Sequence, residues 1–320
     1  MARPPRQRYG GLHVVGTLQV IQAGCCKAKA RLYILPSPPP QGVRIVKDVT
    51  VVIGAGGIGQ AIARRISSGR HILVANHTQD SADAAVQALT QAGFEASGMQ
   101  ADVSDRAMVQ AVVQRAQELG PVQALVQAAG VSPSQAPIEA ILKVDLYGTA
   151  MLLEEFRSVM AHGGSGVVIS SQSGYRMPAL TAAQDALLAT APAEDLLQLD
   201  FVKNVKDTLH AYQMSKRCNS LRVRGEAVHW AQRGARINAI SPGIIVTPLA
   251  HDELYGERAA FYQAMLQKMP AGRAGTPDEV AALAALIMGP EGGFMTGSDF
   301  LIDGGATAHF YYGSTDEQGA

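Results

Sequence analysis

Residues 49–59 read VTVVIGAGGIG, a run rich in β-branched residues that leads directly into a glycine loop. The run predicts a buried strand, and residues 60–68 continue as an Ala- and Arg-rich helix. Between a strand and a helix, the first glycine allows a tight turn, the second lets a pyrophosphate approach the backbone, and the third brings the helix close to the strand. The stretch therefore predicts a dinucleotide site at a helix N-terminus, with a plain structural turn as the alternative. The loop residues assigned to this site are Gly54, Gly56, Gly57, Ile58 and Gly59.

The second predicted strand, residues 71–75, ends at Asn76, His77 and Thr78. NAD-selective sites place a carboxylate at this point against the ribose hydroxyls. Because neither Asn76 nor His77 would repel a 2′-phosphate, the turn favours NADP(H), with NAD(H) as the other option. An ordinary solvated turn would have the same composition.

Strands and helices alternate along the rest of the chain. We expect helices over residues 80–93, from 104 to the stop at 120, and over 141–160, and strands over residues 98–103, 122–130, 166–171 and 235–240. Ser104 is expected to cap its helix with its own side chain. Right-handed crossovers would place the strand ends around one cleft. The predicted fold class is therefore α/β, a Rossmann-type doubly wound parallel sheet in a single domain.

Several of these strands end in polar or small residues on the side where a ligand would lie. Asp102, followed by Val103, closes the third strand, and its carboxylate could accept a hydrogen bond from an adenine amino group. Ala129 and Gly130 end the fourth strand and would let a cofactor lie against the backbone. Ser171 ends the fifth strand.

A Tyr and a Lys stand four positions apart in the helix-like segment at residues 210–217. This spacing puts Tyr212 and Lys216 on one helix face. A nearby ammonium favours the phenolate, which lets the hydroxyl exchange a proton with a substrate oxygen near neutral pH. Tyr212 would then be the acid or base and Lys216 would tune it, although the same spacing is common on exposed helices.

Composition narrows the class of protein. In 320 residues, 27 Lys and Arg stand against 27 Asp and Glu, which gives no reason to expect nucleic acid or a membrane as a partner. Cys25, Cys26 and Cys218 are too few and too unevenly spaced for a disulfide framework or a zinc site. We therefore expect no metal and a reducing, cytoplasmic location.

The two ends of the chain differ from its centre. Residues 1–47 are basic, carry a Pro-rich run and lack an apolar stretch long enough to span a membrane. We expect residues 1–47 to be a disordered or loosely attached extension, residues 48–308 to form the dinucleotide-binding domain, and residues 309–320 to be a C-terminal tail.

Taken in order, these motifs resemble the short-chain dehydrogenase/reductase family over residues 48–308. The matching segments are the glycine loop, Asp102-Val103, Ala129-Gly130, Ile169-Ser170-Ser171, the Tyr212 and Lys216 pair, Pro242-Gly243-Ile244-Ile245-Val246-Thr247, and Gly297-Ser298-Asp299-Phe300-Leu301-Ile302-Asp303-Gly304-Gly305. The resemblance implies a catalytic domain whose last helix and strand build a subunit contact, and hence a homodimer or homotetramer.

The same resemblance implies roles for individual residues. Ser171 would position the substrate oxygen, Tyr212 would transfer the proton, and Lys216 would also hold the ribose of the nicotinamide. Pro242 and Gly243 would line the cofactor site. Ile245 and Thr247 would contact the nicotinamide carboxamide.

The sequence also departs from the family pattern. Its glycine loop is one residue tighter, and Gln127-Ala128 replaces an Asn pair that supports the central strand. Asp145 replaces the Asn credited with a water-mediated link to the Lys. If Asp145 takes part in catalysis, it would add a negative charge near Lys216, raise the pKa of that Lys and alter the pH profile of the reaction. The alternative is that Asp145 only hydrogen-bonds the backbone.

An insertion precedes Tyr212 at residues 178–209, as in bacterial family members related to hydroxysteroid dehydrogenases and carbonyl reductases. Its apolar spacing predicts two short helices broken at Pro192. A second segment, residues 248–269, has a mixed aromatic and apolar face without a cluster of Arg or Lys; its members are His251, Tyr255, Phe261, Tyr262 and Met265. We expect both segments to roof the cleft, which favours a hydrophobic or ring-containing substrate. The alternative is that both serve subunit packing.

The predicted function is hydride transfer between a nicotinamide cofactor and a secondary alcohol or ketone, a small-molecule partner. A P-loop protein is excluded because no Lys-Ser/Thr follows the glycines. A methyltransferase would not need Tyr212 and Lys216. The alternative function is a dinucleotide-binding sensor or regulator with little turnover, suggested by Gln127 and Asp145.

Overall fold

The computed structural model describes residues 46–248, 255–256 and 259–313, apart from the side chain at position 261. These residues belong to one compact unit. The extension expected at residues 1–47 therefore lies almost wholly outside the described residues. So do most of the expected tail, His251 and the side chain of Phe261.

The centre of the fold is a seven-stranded parallel sheet with the order β3-β2-β1-β4-β5-β6-β7. The strands are β1 (Val49–Ile53), β2 (His71–Asn76), β3 (Glu95–Gln100), β4 (Val122–Gln127), β5 (Met160–Ile169), β6 (Arg236–Pro242) and β7 (Asp299–Ile302). Every residue of β1 is buried, as expected for a central parallel strand covered on both faces.

Helices cover both faces of the sheet. They are α1 (Gly57–Ile66), α2 (Gln79–Gln91), α3 (Arg106–Leu119), α4 (Ile138–Ile141), α5 (Thr149–Arg157), α6 (Ala182–Thr190), α7 (Ala193–Leu196), α8 (Asp200–Lys203), α9 (Thr208–Ala231), α10 (Ala259–Lys268), α11 (Pro277–Met288) and α12 (Ala306–Tyr312). On one face, Val51 shares a core with Phe156 and Trp230. On the other face, Val52 shares a core with Ile62. The predicted doubly wound α/β fold is confirmed.

The strand order reverses between β1 and β4. After β3 the chain returns across β1 to form β4 on its other side. Such a switch point opens a crevice at the carboxyl ends of the strands, where open α/β sheets bind their ligands. The glycine loop after β1 and the small residues after β4 both lie at this point.

The third strand and the helix after it begin elsewhere than predicted. Strand β3 spans Glu95–Gln100 rather than residues 98–103, because Glu95 pairs with His71 and the register follows β2 to its end. As a half-exposed edge strand, it lacks the clear apolar run that marked β1. Asp105, not Ser104, caps α3, since its carboxylate accepts hydrogen bonds from the backbone N–H groups of residues 107 and 108.

The long helix predicted over residues 141–160 is interrupted and shorter. A π-helical segment, Leu142–Gly148, joins α4 to α5, and α5 ends at Arg157. Met160 already belongs to β5 and pairs with Val122. This pairing could not be seen in the local pattern of apolar residues.

The insertion forms three short helices, α6, α7 and α8, rather than two, and its chain breaks at Pro192 as predicted. It packs against α9. A Cβ atom at Gly225 would lie 2.4 Å from the carbonyl oxygen of Ala189, so the two backbones are in close contact. The buried Arg222 side chain of α9 donates hydrogen bonds to the carbonyl of Ala191 in the insertion and to Glu154 in α5.

Candidate active site

The glycine loop has the geometry that phosphate binding requires. Gly54 has a φ of +81°, and a Cβ atom there would lie 2.3 Å from the backbone nitrogen of Ala129. A Cβ atom at Gly59 would lie 2.3 Å from the carbonyl oxygen of Gly54, so α1 packs directly on the loop. By contrast, a Cβ atom at Gly56 would meet no atom within 4 Å. The loop thus leaves open space at Gly56, at the N-terminus of α1, where a pyrophosphate fits.

Asn76 supports this loop. Its side-chain oxygen accepts a hydrogen bond from the backbone nitrogen of Ala55 at 2.7 Å, and its amide nitrogen donates to the carbonyl of Ser81 at 2.9 Å. The amide of Asn76 is therefore engaged by the backbone. His77, the next residue, is exposed on the cleft wall.

Asp102 lies just beyond β3 rather than within it. One of its carboxylate oxygens, Oδ1, accepts hydrogen bonds from the backbone nitrogen and the hydroxyl of Ser104, both at 2.8 Å. Burial raises the pKa of Asp102, but these hydrogen bonds together with the nearby charges of His77 and Lys143 outweigh burial and bring the pKa below its ordinary value. Asp102 is thus held as an anion, and an anion can accept a hydrogen bond from an amino group.

A cleft of about 820 Å³ runs along the carboxyl ends of the central strands. It brings together almost all of the residues singled out in the sequence: Gly54, Gly56, Gly57, Ile58, Gly59, Asn76, His77, Asp102, Val103, Ala129, Gly130, Ser171, Tyr212, Lys216, Pro242, Gly243, Ile245 and Thr247. Asp145 is not on the wall but contacts Lys216 from behind. The cleft is large enough for a dinucleotide portion and a small substrate.

Other residues of the wall were not assigned to the site from the sequence. They include Ala128, Val131, Ser132, Ala140, Lys143, Val144, Ser170, Gln172 and Ile244. Those directly after β4 and β5 could have been found, because every residue that follows a central strand is a candidate for the cleft. Those from the segment 131–144 carry no comparable signal.

The expected roof is present only in part. Pro248 and Tyr262, from the segment 248–269, line the cleft. None of the residues described as lining it comes from the insertion at 178–209. The prediction that the insertion roofs the cleft is therefore wrong. Its apolar side chains are used for packing, since Leu188, Leu196 and Val202 are buried in the core shared with α9.

Tyr212 and Lys216 lie on one face of α9, whose N-terminus is capped by Asp207. The Lys216 ammonium is 5.2 Å from the centre of the Tyr212 ring. Ser171 lies two residues beyond the end of β5 on the same cleft wall, and its hydroxyl accepts a hydrogen bond from the backbone nitrogen of Ser173 at 3.2 Å. A substrate oxygen in the cleft can therefore meet a hydroxyl from each of two separate elements.

Lys216 and Asp145 form a buried ion pair. Lys216 is 4% exposed and Asp145 is 0% exposed, and Nζ lies 3.3 Å from Oδ2. The other carboxylate oxygen accepts a hydrogen bond from the backbone nitrogen of Val131 at 2.8 Å. Burial lowers the pKa of Lys216, but the charges of Asp145 and Tyr212 and the hydrogen bond to Asp145 together outweigh burial and raise the pKa above its ordinary value, so the Lys holds its proton more firmly than usual.

Asp145, the acidic member of this pair, lies in the π-helical segment. With its amide nitrogen turned toward the segment, Asn219 donates to the carbonyl of Asp145 at 2.8 Å. A π-turn shifts the backbone hydrogen bonds of a helix and is frequent at functional sites. Gln127 supports the neighbouring strand end, since its amide nitrogen donates to the hydroxyl of Thr149 at 3.0 Å.

Two further features of the described residues bear on the class of protein. Within the described part of the chain, no cluster of His, Cys, Asp or Glu is arranged to hold a metal ion. Among the described helices, none is both long and apolar enough to cross a membrane.

Comparison with known protein families gives two adjoining matches. The model described as "short chain dehydrogenase" matches residues 48–184. The model described as "Enoyl-(Acyl carrier protein) reductase" matches residues 179–307. Together they span the whole region in which the sequence motifs occur.

Known proteins resemble the chain over most of its length. A short-chain dehydrogenase/reductase of Alternaria brassicicola is 40% identical over 271 residues, which is 82% of this chain and 97% of that protein. The cis-4-hydroxycyclohexanecarboxylate dehydrogenase of Sinomonas cyclohexanicum is 29% identical, covering 83% of this chain and 99% of that protein. A short-chain dehydrogenase from Burkholderia cenocepacia, solved in complex with NADP, is 26% identical with a TM-score of 0.64, covering 81% of this chain and 97% of that one.

Proposed function

The chain belongs to the short-chain dehydrogenase/reductase family and is an oxidoreductase that uses a nicotinamide cofactor, and from this premise we propose how its own residues act. Tyr212 exchanges the proton of the substrate oxygen, Ser171 positions that oxygen, and Lys216 tunes the Tyr. The bound nicotinamide supplies or accepts the hydride. The supporting observation is that these three side chains line the same cleft as the glycine loop.

The substrate oxygen belongs to a secondary alcohol or a ketone. As an alcohol is oxidised, its proton passes to the oxygen of Tyr212; as a ketone is reduced, the Tyr212 hydroxyl gives the proton back. The Lys216 ammonium favours the phenolate form and so lowers the cost of this exchange. A sensor with little turnover is not favoured, since the relatives are named dehydrogenases or reductases.

The test is the Tyr212→Phe variant. We expect kcat to fall about 100-fold or more, the scale of a lost general acid, with cofactor binding retained. Absorbance of the reduced nicotinamide across a panel of ketones measures turnover, and fluorescence titration measures cofactor binding. Tyr312→Phe, at a side chain that is 87% exposed, is the matched control. Near-normal turnover of Tyr212→Phe would end the proposal.

NADP(H) is the proposed cofactor. The turn after β2 has Asn76 and His77 where a carboxylate would repel a 2′-phosphate. The Asn76 side chain is hydrogen-bonded to the loop backbone, which leaves the exposed His77 to face the ribose. The solved relative from Burkholderia cenocepacia is a complex with NADP. NAD(H) would be favoured only if the ribose hydroxyls found another acceptor.

The proposed substrate is hydrophobic or ring-containing. Apolar residues such as Val131, Val144 and Ile169 form much of the cleft wall, and the Tyr262 ring belongs to it as well. A relative with 29% identity is named for a substituted cyclohexanol. This chemistry suits a ring that presents one secondary hydroxyl or carbonyl to Tyr212.

We also propose a homodimer or homotetramer built on α11 and β7. This part of the surface leaves Leu286, Phe294 and Leu301 exposed by 45%, 103% and 39%. Burial of such side chains in a subunit contact would remove apolar surface from water. Light scattering of Phe294→Asp against the unmodified protein tests this proposal, and an unchanged mass would contradict it.

A further inference from the structure

Arg176 is a half-buried cation four residues after Gln172, which belongs to the cleft wall. It follows the short 3-10 helix Gln172–Tyr175 that Ser171 caps. One guanidinium nitrogen, Nη1, donates to the thioether sulfur of Met265 at 3.1 Å, and a second nitrogen, Nε, is buried without a hydrogen-bond partner. The guanidinium also lies 5.7 Å from the centre of the Phe310 ring.

No carboxylate of the described residues forms an ion pair with Arg176. The carboxylate of Asp303, whose charge raises the pKa of Arg176, accepts hydrogen bonds from the backbone nitrogens of Gly305 and Thr307. Burial lowers the pKa of Arg176, yet a guanidinium stays charged in proteins. A cation withdrawn from water without a carboxylate partner costs free energy, so Arg176 is suited to an anion from outside the chain.

Gln172 brings a second donor to the same point. It is 4% exposed and belongs to the cleft wall. Its amide nitrogen also points at the sulfur of Met265, at 3.8 Å, while its amide oxygen is buried without a partner. A thioether is a weak acceptor, so two strong donors converge where the chain supplies almost nothing to receive them.

We propose that Arg176 and Gln172 bind a carboxylate carried by the substrate, apart from its reacting carbon. The Met265 side chain, which is flexible and unbranched, moves aside so that a carboxylate oxygen takes the place of its sulfur. One guanidinium and one amide suit the single charge and planar shape of a carboxylate. The inference rests on the proposed function and narrows its substrate to a ring-containing alcohol or ketone that is also an acid.

Binding to the unmodified protein is the first test, because it does not depend on turnover. Isothermal titration of the protein with NADP would compare cyclohexanecarboxylate with the neutral cyclohexanecarboxamide. We expect the carboxylate to bind at least about 10-fold more tightly, the scale of a hydrogen bond to a charged group. Equal or weaker binding of the carboxylate would overturn the inference while leaving the hydride-transfer proposal intact.

Turnover of Arg176→Gln is the second test. For 4-oxocyclohexanecarboxylate we expect kcat/KM to fall about 10-fold to 100-fold, whereas for its methyl ester the value should change little. The matched control Arg64→Gln, at an exposed position on α1, should leave both values unchanged. Equal losses for acid and ester would assign Arg176 to packing and overturn the inference. Absence of turnover with every ketone, acid or neutral, would instead count against the proposed function.

Discussion

At the scale of single residues, Asp145 is the buried acidic partner of Lys216. Its carboxylate lies 3.3 Å from the ammonium of Lys216, and both groups are buried. The positive charge that favours the Tyr212 phenolate is thus partly offset by a negative charge in contact with it. The same carboxylate keeps Lys216 protonated where burial alone would lower its pKa.

The Asp145→Asn variant should therefore shift the pH profile of alcohol oxidation toward lower pH. Removing the negative charge lets the Lys216 ammonium favour the Tyr212 phenolate more strongly, so activity rises at lower pH. It also removes the interaction that raises the pKa of Lys216, so activity falls earlier as the pH increases. Initial rates with a saturating alcohol between about pH 6 and 11, around the ordinary pKa values of Tyr and Lys, would measure both limbs.

Asp83→Asn, at an exposed position on α2, is the control and should leave the profile unchanged. An Asn side chain at position 145 could still accept the hydrogen bond from Val131. An Asp145→Asn enzyme with the profile of the unmodified protein would thus reduce Asp145 to a backbone contact. In that case its charge has no part in the reaction.

At the scale of elements, α9 serves two purposes. Tyr212 and Lys216 face the cleft, while Cys218, Arg222 and Gly225 meet the insertion. The close approach at Gly225 and the hydrogen bond from Arg222 to the carbonyl of Ala191 hold the insertion against this helix. The ion pair between Arg222 and Glu154 joins the same helix to α5. The insertion therefore supports α9 from outside the cleft.

Gly225→Ala tests this support. Ala normally stabilises a helix interior relative to Gly by about 0.5–1 kcal/mol. Here the added Cβ atom would lie 2.4 Å from a backbone oxygen of α6. We expect a net loss of about 1–3 kcal/mol in the free energy of unfolding, as for other overpacked sites.

Urea unfolding would measure this loss. Val228→Ala, at a side chain on the same helix that is 67% exposed, should change the free energy of unfolding by less than about 0.5 kcal/mol. A Gly225→Ala protein more stable than the original would show that α6 does not approach α9 so closely.

Elements also show how far sequence patterns reach. Strand β1 and the glycine loop were predictable because their signals are local. A run of β-branched residues marks the strand, and closely spaced glycines directly after it mark a tight turn. The start of β3 depends on pairing between Glu95 and His71, and the π-helical segment depends on contacts of Asp145 with Lys216, Val131 and Asn219. Neither follows from residues adjacent in the chain.

Within the candidate site, too, some residues could be predicted from local sequence and others depend on tertiary contacts. Residues at the ends of strands could be placed on the cleft because the topology fixes where parallel strands end. The insertion could not, because apolar side chains at helical spacing fit a cleft roof and a packed core equally well. Arg176 was missed for a similar reason, since no local pattern shows that Met265 would be its acceptor.

At the scale of the whole molecule, the proposed cofactor site is distributed over the sheet. Its parts follow β1, β2, β3, β4 and β6 and include one face of α9. These segments meet only when the sheet has formed. Cofactor should therefore bind the folded chain and not the unfolded one, and its binding energy should appear as stability of the whole domain.

NADP should consequently raise the melting temperature more than NAD does at the same concentration. A ligand present at 100 times its dissociation constant stabilises a protein by about 2.7 kcal/mol, and each tenfold difference in affinity changes this by about 1.4 kcal/mol. His77→Asp should reverse the order, because a carboxylate at the end of β2 repels a 2′-phosphate and accepts hydrogen bonds from ribose hydroxyls. His229→Asp, exposed at the far end of α9, should keep the original order. A larger shift with NAD in the unmodified protein would show that the ribose hydroxyls find an acceptor other than a carboxylate after β2.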